Sequence, residues 1–211
     1  MSVLILKAML AYLLGSVSGS LLLGRLRHVD IRTMGSGNAG GTNAFRTQGL
    51  TFALGVVIID VGKAVLATAL VPGLAGDGLP GGITQTQVQL ACGFAVVLGH
   101  CYPVYHGFRG GKGAATAVGS LLVIAPVLLL PMLLTWLLAL GLTGYVGLAT
   151  VLAGFSLVPA AWWTGGVSGL FWFAVLLAVF MTFTHRANLA RLRAGTENRF
   201  ERARLSRWFK N

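Results

Sequence analysis

The chain has 211 residues, of which 55% are hydrophobic and 10% charged, with a formal net charge of +11 and a mean hydropathy of +0.79. That is too apolar for an ordinary soluble domain and leaves a multi-span membrane protein as the class that fits. The positive charge does not point to nucleic acid. Fourteen of the sixteen Lys and Arg lie in three patches beside apolar runs, Arg25 to Arg46, Arg109 to Lys112 and Arg186 to Lys210, where they act first as topology signals and contacts with anionic lipid.

The first apolar run, 3–23, is too long for a secretory leader, shows no clear small-residue cleavage site and is flanked by Arg25 and Arg27. It is expected as a helix of the mature protein. A polar stretch follows, Gly35-Ser36-Gly37-Asn38-Ala39-Gly40-Gly41-Thr42-Asn43, ahead of Arg46. Glycine there exposes backbone N–H groups, and with a cation nearby such a loop can cradle a phosphate. The literal G-x-G-x-x-G match at 35–40 is not a dinucleotide site, because no strand precedes it and no soluble βαβ unit follows.

The second apolar run, 50–71, carries Asp60 and Lys63 at helical spacing i, i+3. An unpaired charge at mid-membrane costs about 2.5–3.5 kcal/mol on insertion scales, so a mutual pair facing the bundle is expected, with a substrate-linked or proton-relay role as the alternative. The linker 72–87 has no Lys or Arg, as an outer loop should. The third run, 86–104, holds Cys92 and Cys101, the only cysteines, which are expected as packing thiols. A second glycine-rich loop follows, Gly107-Phe108-Arg109-Gly110-Gly111-Lys112-Gly113, with His100 before it and Thr116 after it. It lacks the spacing of a nucleotide P-loop.

From Gly113 to Thr184 no Asp, Glu, Lys, Arg or His occurs in 72 residues, several times what one crossing requires. Breaks are expected at Pro126 to Pro131, Gly141 to Gly144 and Thr164 to Gly169, giving four short helices. If the basic patches share the cytoplasmic side, the count must be even between Lys112 and His185. The expectation is an all-α membrane protein of seven transmembrane helices, with the N-terminus outside and the C-terminus cytoplasmic. It is read as one domain, 1–211, with a basic interfacial tail over about 186–211.

In that tail His185 and Asn188 stand at i, i+3 at the end of the last span, and Gly195 is a helix stop. Any one of these features has a bland reading: an interhelical turn needs glycine, and a histidine at a helix end is usually interfacial. Two cationic glycine loops on one membrane face, with His185 and Asn188 beside them, argue instead for an anion site.

Together the three segments resemble the bacterial acyl-phosphate:glycerol-3-phosphate acyltransferase family, PlsY. The resemblance rests on Gly35-Ser36-Gly37-Asn38-x-Gly40-x-Thr42-Asn43-x-x-Arg46, on Gly99-His100-x-x-Pro103 with Phe108-x-Gly110-Gly111-Lys112-Gly113-x-Ala115-Thr116, and on His185-x-x-Asn188-x-x-Arg191-Leu192-x-x-Gly195-Thr196-Glu197. Arg109 and Arg199 stand where many members carry Lys, and Ala114 where Val is common. The resemblance implies transfer of a fatty acyl group from acyl phosphate to the 1-hydroxyl of glycerol 3-phosphate, giving lysophosphatidic acid and phosphate. It also implies seven helices in a bacterial plasma membrane, a cytoplasmic site, and no metal or cofactor. No H-x-x-x-x-D acyltransferase motif is present.

Both substrates are phosphates of about −1.5 to −2 charge, so their encounter needs cations. Arg46 and Lys112, with Arg109 and Arg186, are the expected compensation. Lys112 and the second loop, Gly110, Gly111, Gly113, His100 and Thr116 included, are expected to hold glycerol 3-phosphate. Ser36, Gly37, Asn38, Gly40, Thr42 and Asn43 complete the cage. His185 and Asn188 orient the reacting groups, with His185 or a substrate phosphate oxygen taking the proton. Glu197 either closes the tail or contacts substrate. Membrane lipids are expected partners, whereas nucleic acid and an obligate protein partner are not. The rival is a transporter of phosphate esters or other anions, which would place its site near mid-membrane between internal repeats.

Overall fold

A computed structural model describes residues 2–74 and 82–201. The described residues form ten α-helices and no strand. They gather in two compact units, Met1–Ala125 and Pro126–Asn211.

In the first unit the opening span is broken. Helix α1 (Ser2–Gly15) stops and α2 (Gly19–Leu26) restarts after three residues. A short 3-10 turn, Ile31–Thr33, and the first glycine loop lead into α3 (Gly41–Gln48), and α4 (Leu50–Leu70) follows after Gly49. Helix α5 (Gln85–Cys101) opens on a capping box in which Thr84 and Gln87 exchange side-chain and backbone bonds. After the second glycine loop α6 (Ala114–Ile124) closes the unit. Small residues let these helices touch. A side-chain carbon at Gly15 would strike the Val96 carbonyl, and one at Gly99 the Tyr12 carbonyl.

Two buried lysines serve helix ends. Lys7 donates to the Pro72 carbonyl at 2.7 Å beyond the end of α4. Lys63 reaches the break between α1 and α2, and its ammonium lies 3.1 Å from Asp60 Oδ1, both side chains buried. The expected i, i+3 pair is therefore present. Cys92 and Cys101 are buried free thiols.

The second unit holds α7 (Leu129–Thr143), α8 (Val146–Gly165), α9 (Gly169–Thr184) and α10 (Arg186–Arg193). The chain turns at Pro126, Gly144 and Gly166, inside the three stretches read as breaks. Gly144 and Gly166 have φ of +77° and +62°, which a side chain would resist. Arg199 donates to the Thr143 carbonyl at 3.0 Å, and Phe200 N donates to the Gly144 carbonyl at 2.7 Å, so this end docks on the α7–α8 turn. The rest of the expected interfacial segment, 202–211, lies outside the described residues, as do residues 75–81 of the expected outer loop.

Among the described residues, five helical stretches are long and apolar enough to cross a membrane, Val3–Leu26, Leu50–Gly73, Gln85–His106, Pro126–Thr143 and Val146–Gly165. A sixth results if Gly169–Thr184 is joined to Arg186–Arg193 across their 56° bend. The expected count of seven is not reached on length. Helix α6 has 11 residues and rises only about 16 Å, against a hydrocarbon core of about 30 Å.

Candidate functional site

The first glycine loop is built around Asn43. Its side chain is buried, its Oδ1 accepts from Ser36 N at 2.9 Å, and its Nδ2 donates to the carbonyls of Ile31 at 2.9 Å and Met34 at 3.0 Å. Three backbone groups that a flexible loop would leave to water are held by one amide. Asn43 was expected in the phosphate cage, whereas its side-chain hydrogen bonds go to the backbone of Ser36, Ile31 and Met34. Ser20 adds a second fastening through its hydroxyl, 3.0 Å from the Ala39 carbonyl. Held in this way, the loop delivers Gly40 to the start of α3, whose first N–H groups have no partner within the helix.

Around this start the polar side chains are exposed. The hydroxyls of Ser36 and Thr42 and the guanidinium of Arg46 make no hydrogen bond or ion pair among the described residues. Asn38 lies partly buried with its amide nitrogen against Gly40, where a side-chain carbon would stand 2.7 Å away. Gly37 is exposed and adopts φ +71°.

The second loop folds back on the end of α5. Gly110 N donates to the Cys101 carbonyl at 3.2 Å and Gly111 N to the His100 carbonyl at 3.1 Å. Gly113, at φ +88°, caps the N-terminus of α6 with no side-chain bond, beside half-buried Lys112, so the first N–H groups of that helix have no intrahelical or capping partner. The Arg109 side chain is exposed. Two residues expected in this group sit deeper. His100 is buried, with Nδ1 2.9 Å from Lys63 Nζ. Thr116 is buried one turn into α6, its hydroxyl without a hydrogen-bond partner among the described residues.

The residue that joins the loops was not singled out from the sequence. Arg32 forms a bidentate pair with Asp30, at 2.7 Å for its shortest contact, and its Nη1 donates to the carbonyls of His106 at 3.1 Å and Arg109 at 3.3 Å. The guanidinium therefore links the stretch before the first loop to the backbone of the second. These hydrogen bonds hold the Asp30 carboxyl below its ordinary value of 3.8 and raise Arg32. The only available signal was an Asp-x-Arg within a basic patch, which any solvated turn can show.

In the second unit the chain bends at His185, which ends α9 and starts α10. The ring is buried, and Nδ1 lies 2.8 Å from the Met181 carbonyl. A carbonyl only accepts, so in the neutral ring the hydrogen sits on Nδ1 and the lone pair on Nε2. Asn188 donates to Glu197 Oε1 at 2.6 Å, and Arg191 to Glu197 Oε2 at 2.7 Å. Both Glu197 oxygens are thus engaged in closing the end of α10, the structural alternative of the two. Gly147 lies so close that a side-chain carbon there would stand 2.8 Å from Asn188 Cβ. Arg186, expected to help neutralise substrate, stacks its guanidinium 4.3 Å from the Phe183 ring and donates to the Phe183 carbonyl.

Among the described residues no group of three His, Cys, Asp or Glu is placed to hold a metal. What the first unit offers is two glycine loops joined by Arg32, with the hydroxyls of Ser36 and Thr42 and the cations Arg46 and Arg109 exposed on this surface.

Comparison with known proteins gives this surface a context. The sequence profile described as Glycerol-3-phosphate acyltransferase matches residues 5–195. A glycerol-3-phosphate acyltransferase of Chlorobium luteolum is 38% identical over 218 residues, covering 90% of this chain and 93% of its own. One from Agrobacterium fabrum is 37% identical, covering 94% and 92%, and one from Thermoanaerobacter pseudethanolicus is 39% identical, covering 92% and 94%. The crystal structure of PlsY, an integral membrane glycerol 3-phosphate acyltransferase, in its glycerol 3-phosphate form aligns at a TM-score of 0.82 and 33% identity, over 93% of this chain and 95% of its own. Its lysophosphatidic acid form aligns at 0.80 and 32%.

Proposed function

This chain belongs to the glycerol-3-phosphate acyltransferase family, and from that premise we propose that it transfers a fatty acyl group from acyl phosphate to the 1-hydroxyl of glycerol 3-phosphate, releasing phosphate and lysophosphatidic acid. The observation that carries the reading is the pair of glycine loops held together by Arg32. Two phosphates bring roughly three to four negative charges, which cations and oriented N–H groups must offset before the reacting atoms can meet. Arg46, Arg109 and Lys112 supply the charge in this reading. Ser36, Asn38 and Thr42 supply hydroxyl and amide contacts, and the backbone around Gly40 and Gly113, where α3 and α6 begin, supplies N–H donors, while the N–H groups of Gly37, Gly110 and Gly111 go to the carbonyls of Met34, Cys101 and His100 and shape the loops. Asn43 and Arg32 hold the loops in shape.

The chemistry itself asks little of the protein. The 1-hydroxyl oxygen attacks the acyl carbonyl, a carbon–oxygen ester bond forms, and the bond from the acyl carbon to the phosphate oxygen breaks. Phosphate is a good leaving group, so positioning and stabilisation of the carbonyl oxygen are the main requirements. The hydroxyl proton goes to a base. The Nε2 lone pair of His185, fixed by the Nδ1 bond to Met181, fits that role; a phosphate oxygen of substrate is the alternative acceptor. Asn188 is assigned to orientation of the reacting groups.

The same reading places the protein in a bacterial plasma membrane with seven crossings, α6 counted as the short one, the N-terminus outside and the C-terminus and site cytoplasmic. The broken first span favours a second reading, an anion transporter, because discontinuous helices often surround a mid-membrane substrate. Here Lys63 and Asp60 occupy the half-helix ends at the break. One assay tests both. Purified protein with acyl phosphate and glycerol 3-phosphate should release phosphate and form lysolipid without ATP or metal, and acyl-CoA should not replace the donor. Glycerol 3-phosphate uptake into liposomes without lysolipid would favour the transporter.

A further inference from the structure

Three buried polar groups of the first unit, Asp60, Lys63 and His100, form one connected network that the proposed reaction does not use. It begins at the break in the first span. The Lys63 ammonium donates to the carbonyls of Gly15 at 2.8 Å and Val17 at 2.6 Å, where α1 ends and leaves its last acceptors unpaired. Asp60 Oδ1 accepts from Gly19 N at 3.1 Å, where α2 begins. A cation therefore meets a helix C-terminus and an anion a helix N-terminus, each complementing the local dipole.

Two neighbours remain for the third ammonium hydrogen, His100 Nδ1 at 2.9 Å and Asp60 Oδ1 at 3.1 Å, and it is assigned to the nearer, His100. Lys63 Nζ has no lone pair to offer, so His100 Nδ1, 2.9 Å away, is the acceptor. Asp60 Oδ1 is farther from Nδ1, at 3.4 Å, and a hydrogen on Nδ1 would collide with the ammonium. The ring hydrogen of His100 is thereby placed on Nε2. That edge of the ring lies under the second loop: a side-chain carbon at Gly111 would strike Nε2 and stand 2.8 Å from Cε1. The His100 carbonyl also accepts the Gly111 N–H.

We propose that Asp60, Lys63 and His100 are positioning residues for the second glycine loop, with Lys63 fixing the His100 tautomer so that an N–H, not a lone pair, lies beneath the anion-holding backbone. This rests on the reading in which that loop holds the phosphate of glycerol 3-phosphate. Reversing the tautomer would aim electron density at a dianion and raise its KM, leaving the acyl donor untouched. A residue that only fills space would have no such selectivity.

Two measurements decide it. In full-length protein labelled with ¹⁵N-histidine, with the His100 signals identified by their loss in His100→Gln, Nε2 should carry the hydrogen and Nδ1 should be bare. Lys63→Met, or Asp60→Asn with Lys63→Met if the single variant does not fold, should reverse or scramble that pattern. The same variants should raise KM for glycerol 3-phosphate about tenfold with KM for acyl phosphate unchanged. A hydrogen on Nδ1 in the unmodified protein, equal changes in both KM values, or no change in either overturns the proposal. If the unmodified protein fails to acylate glycerol 3-phosphate, the proposed function falls, and the ¹⁵N pattern still decides the network.

Discussion

Replacing Asn43 by Asp removes two hydrogen-bond donors while keeping size and shape. In the native loop Nδ2 donates at 2.9 Å to Ile31 O and at 3.0 Å to Met34 O, and Oδ1 accepts from Ser36 N. An ionised aspartate keeps the last bond and turns the other two into oxygen facing oxygen. Each lost bond is worth about 0.5–1.5 kcal/mol, so the loop should lose about 1–3 kcal/mol before repulsion is counted. Asn43→Asp should therefore lower the thermal unfolding midpoint of the purified protein by several degrees and reduce turnover through loss of loop shape. Asn43→Ala loses all three bonds, about 1.5–4.5 kcal/mol by the same measure, with no repulsion, and should also lower the midpoint. The two predictions are read by thermal denaturation beside steady-state kinetics. An Asn43→Asp protein with unchanged thermal stability, altered only in its KM for glycerol 3-phosphate, would refute the reasoning and return Asn43 to the phosphate cage.

Arg32→Ala should raise KM for glycerol 3-phosphate by about tenfold through the backbone of the second loop, and Arg32→Lys should not restore it, because one ammonium cannot pair with Asp30 in a fork and also reach two carbonyls. Thermal stability measured against pH should show a small contribution from Asp30. Its native value is lowered by Arg32, so the contribution is complete above 3.8 and fades as the pH falls through the native value. Curves for the unmodified protein and Asp30→Asn should differ above pH 4 and converge below it. Glu197→Ala should cost about 2–4 kcal/mol of stability, seen as a lowered unfolding midpoint, because Asn188 and Arg191 lose their shared acceptor. If His185 takes the proton, His185→Gln should lower kcat by about 10²–10⁴-fold in initial-rate assays; a near-normal kcat would assign the proton to a substrate phosphate.

The membrane class, the three breaks in the uncharged block and the two glycine loops were legible in the chain itself. Partition into a bilayer is a sum of residue transfer energies, and Pro and Gly interrupt a helix wherever they stand, so both are local properties. The pairing of Asp60 with Lys63 was legible for the same reason, since i, i+3 neighbours share a helical face whatever surrounds them. Their second task, at the ends of α1 and α2 and on His100, was not, because it depends on the approach of segments 37 to 48 residues apart. Arg32 was passed over as a surface charge and Asn43 read as a ligand, since neither spacing nor residue type says whether a polar atom faces solvent or a carbonyl brought in by the fold. Composition determined where the chain would be buried; only the three-dimensional packing decided which buried polar group meets which, because a hydrogen bond is satisfied by distance and direction in space and not by position along the sequence.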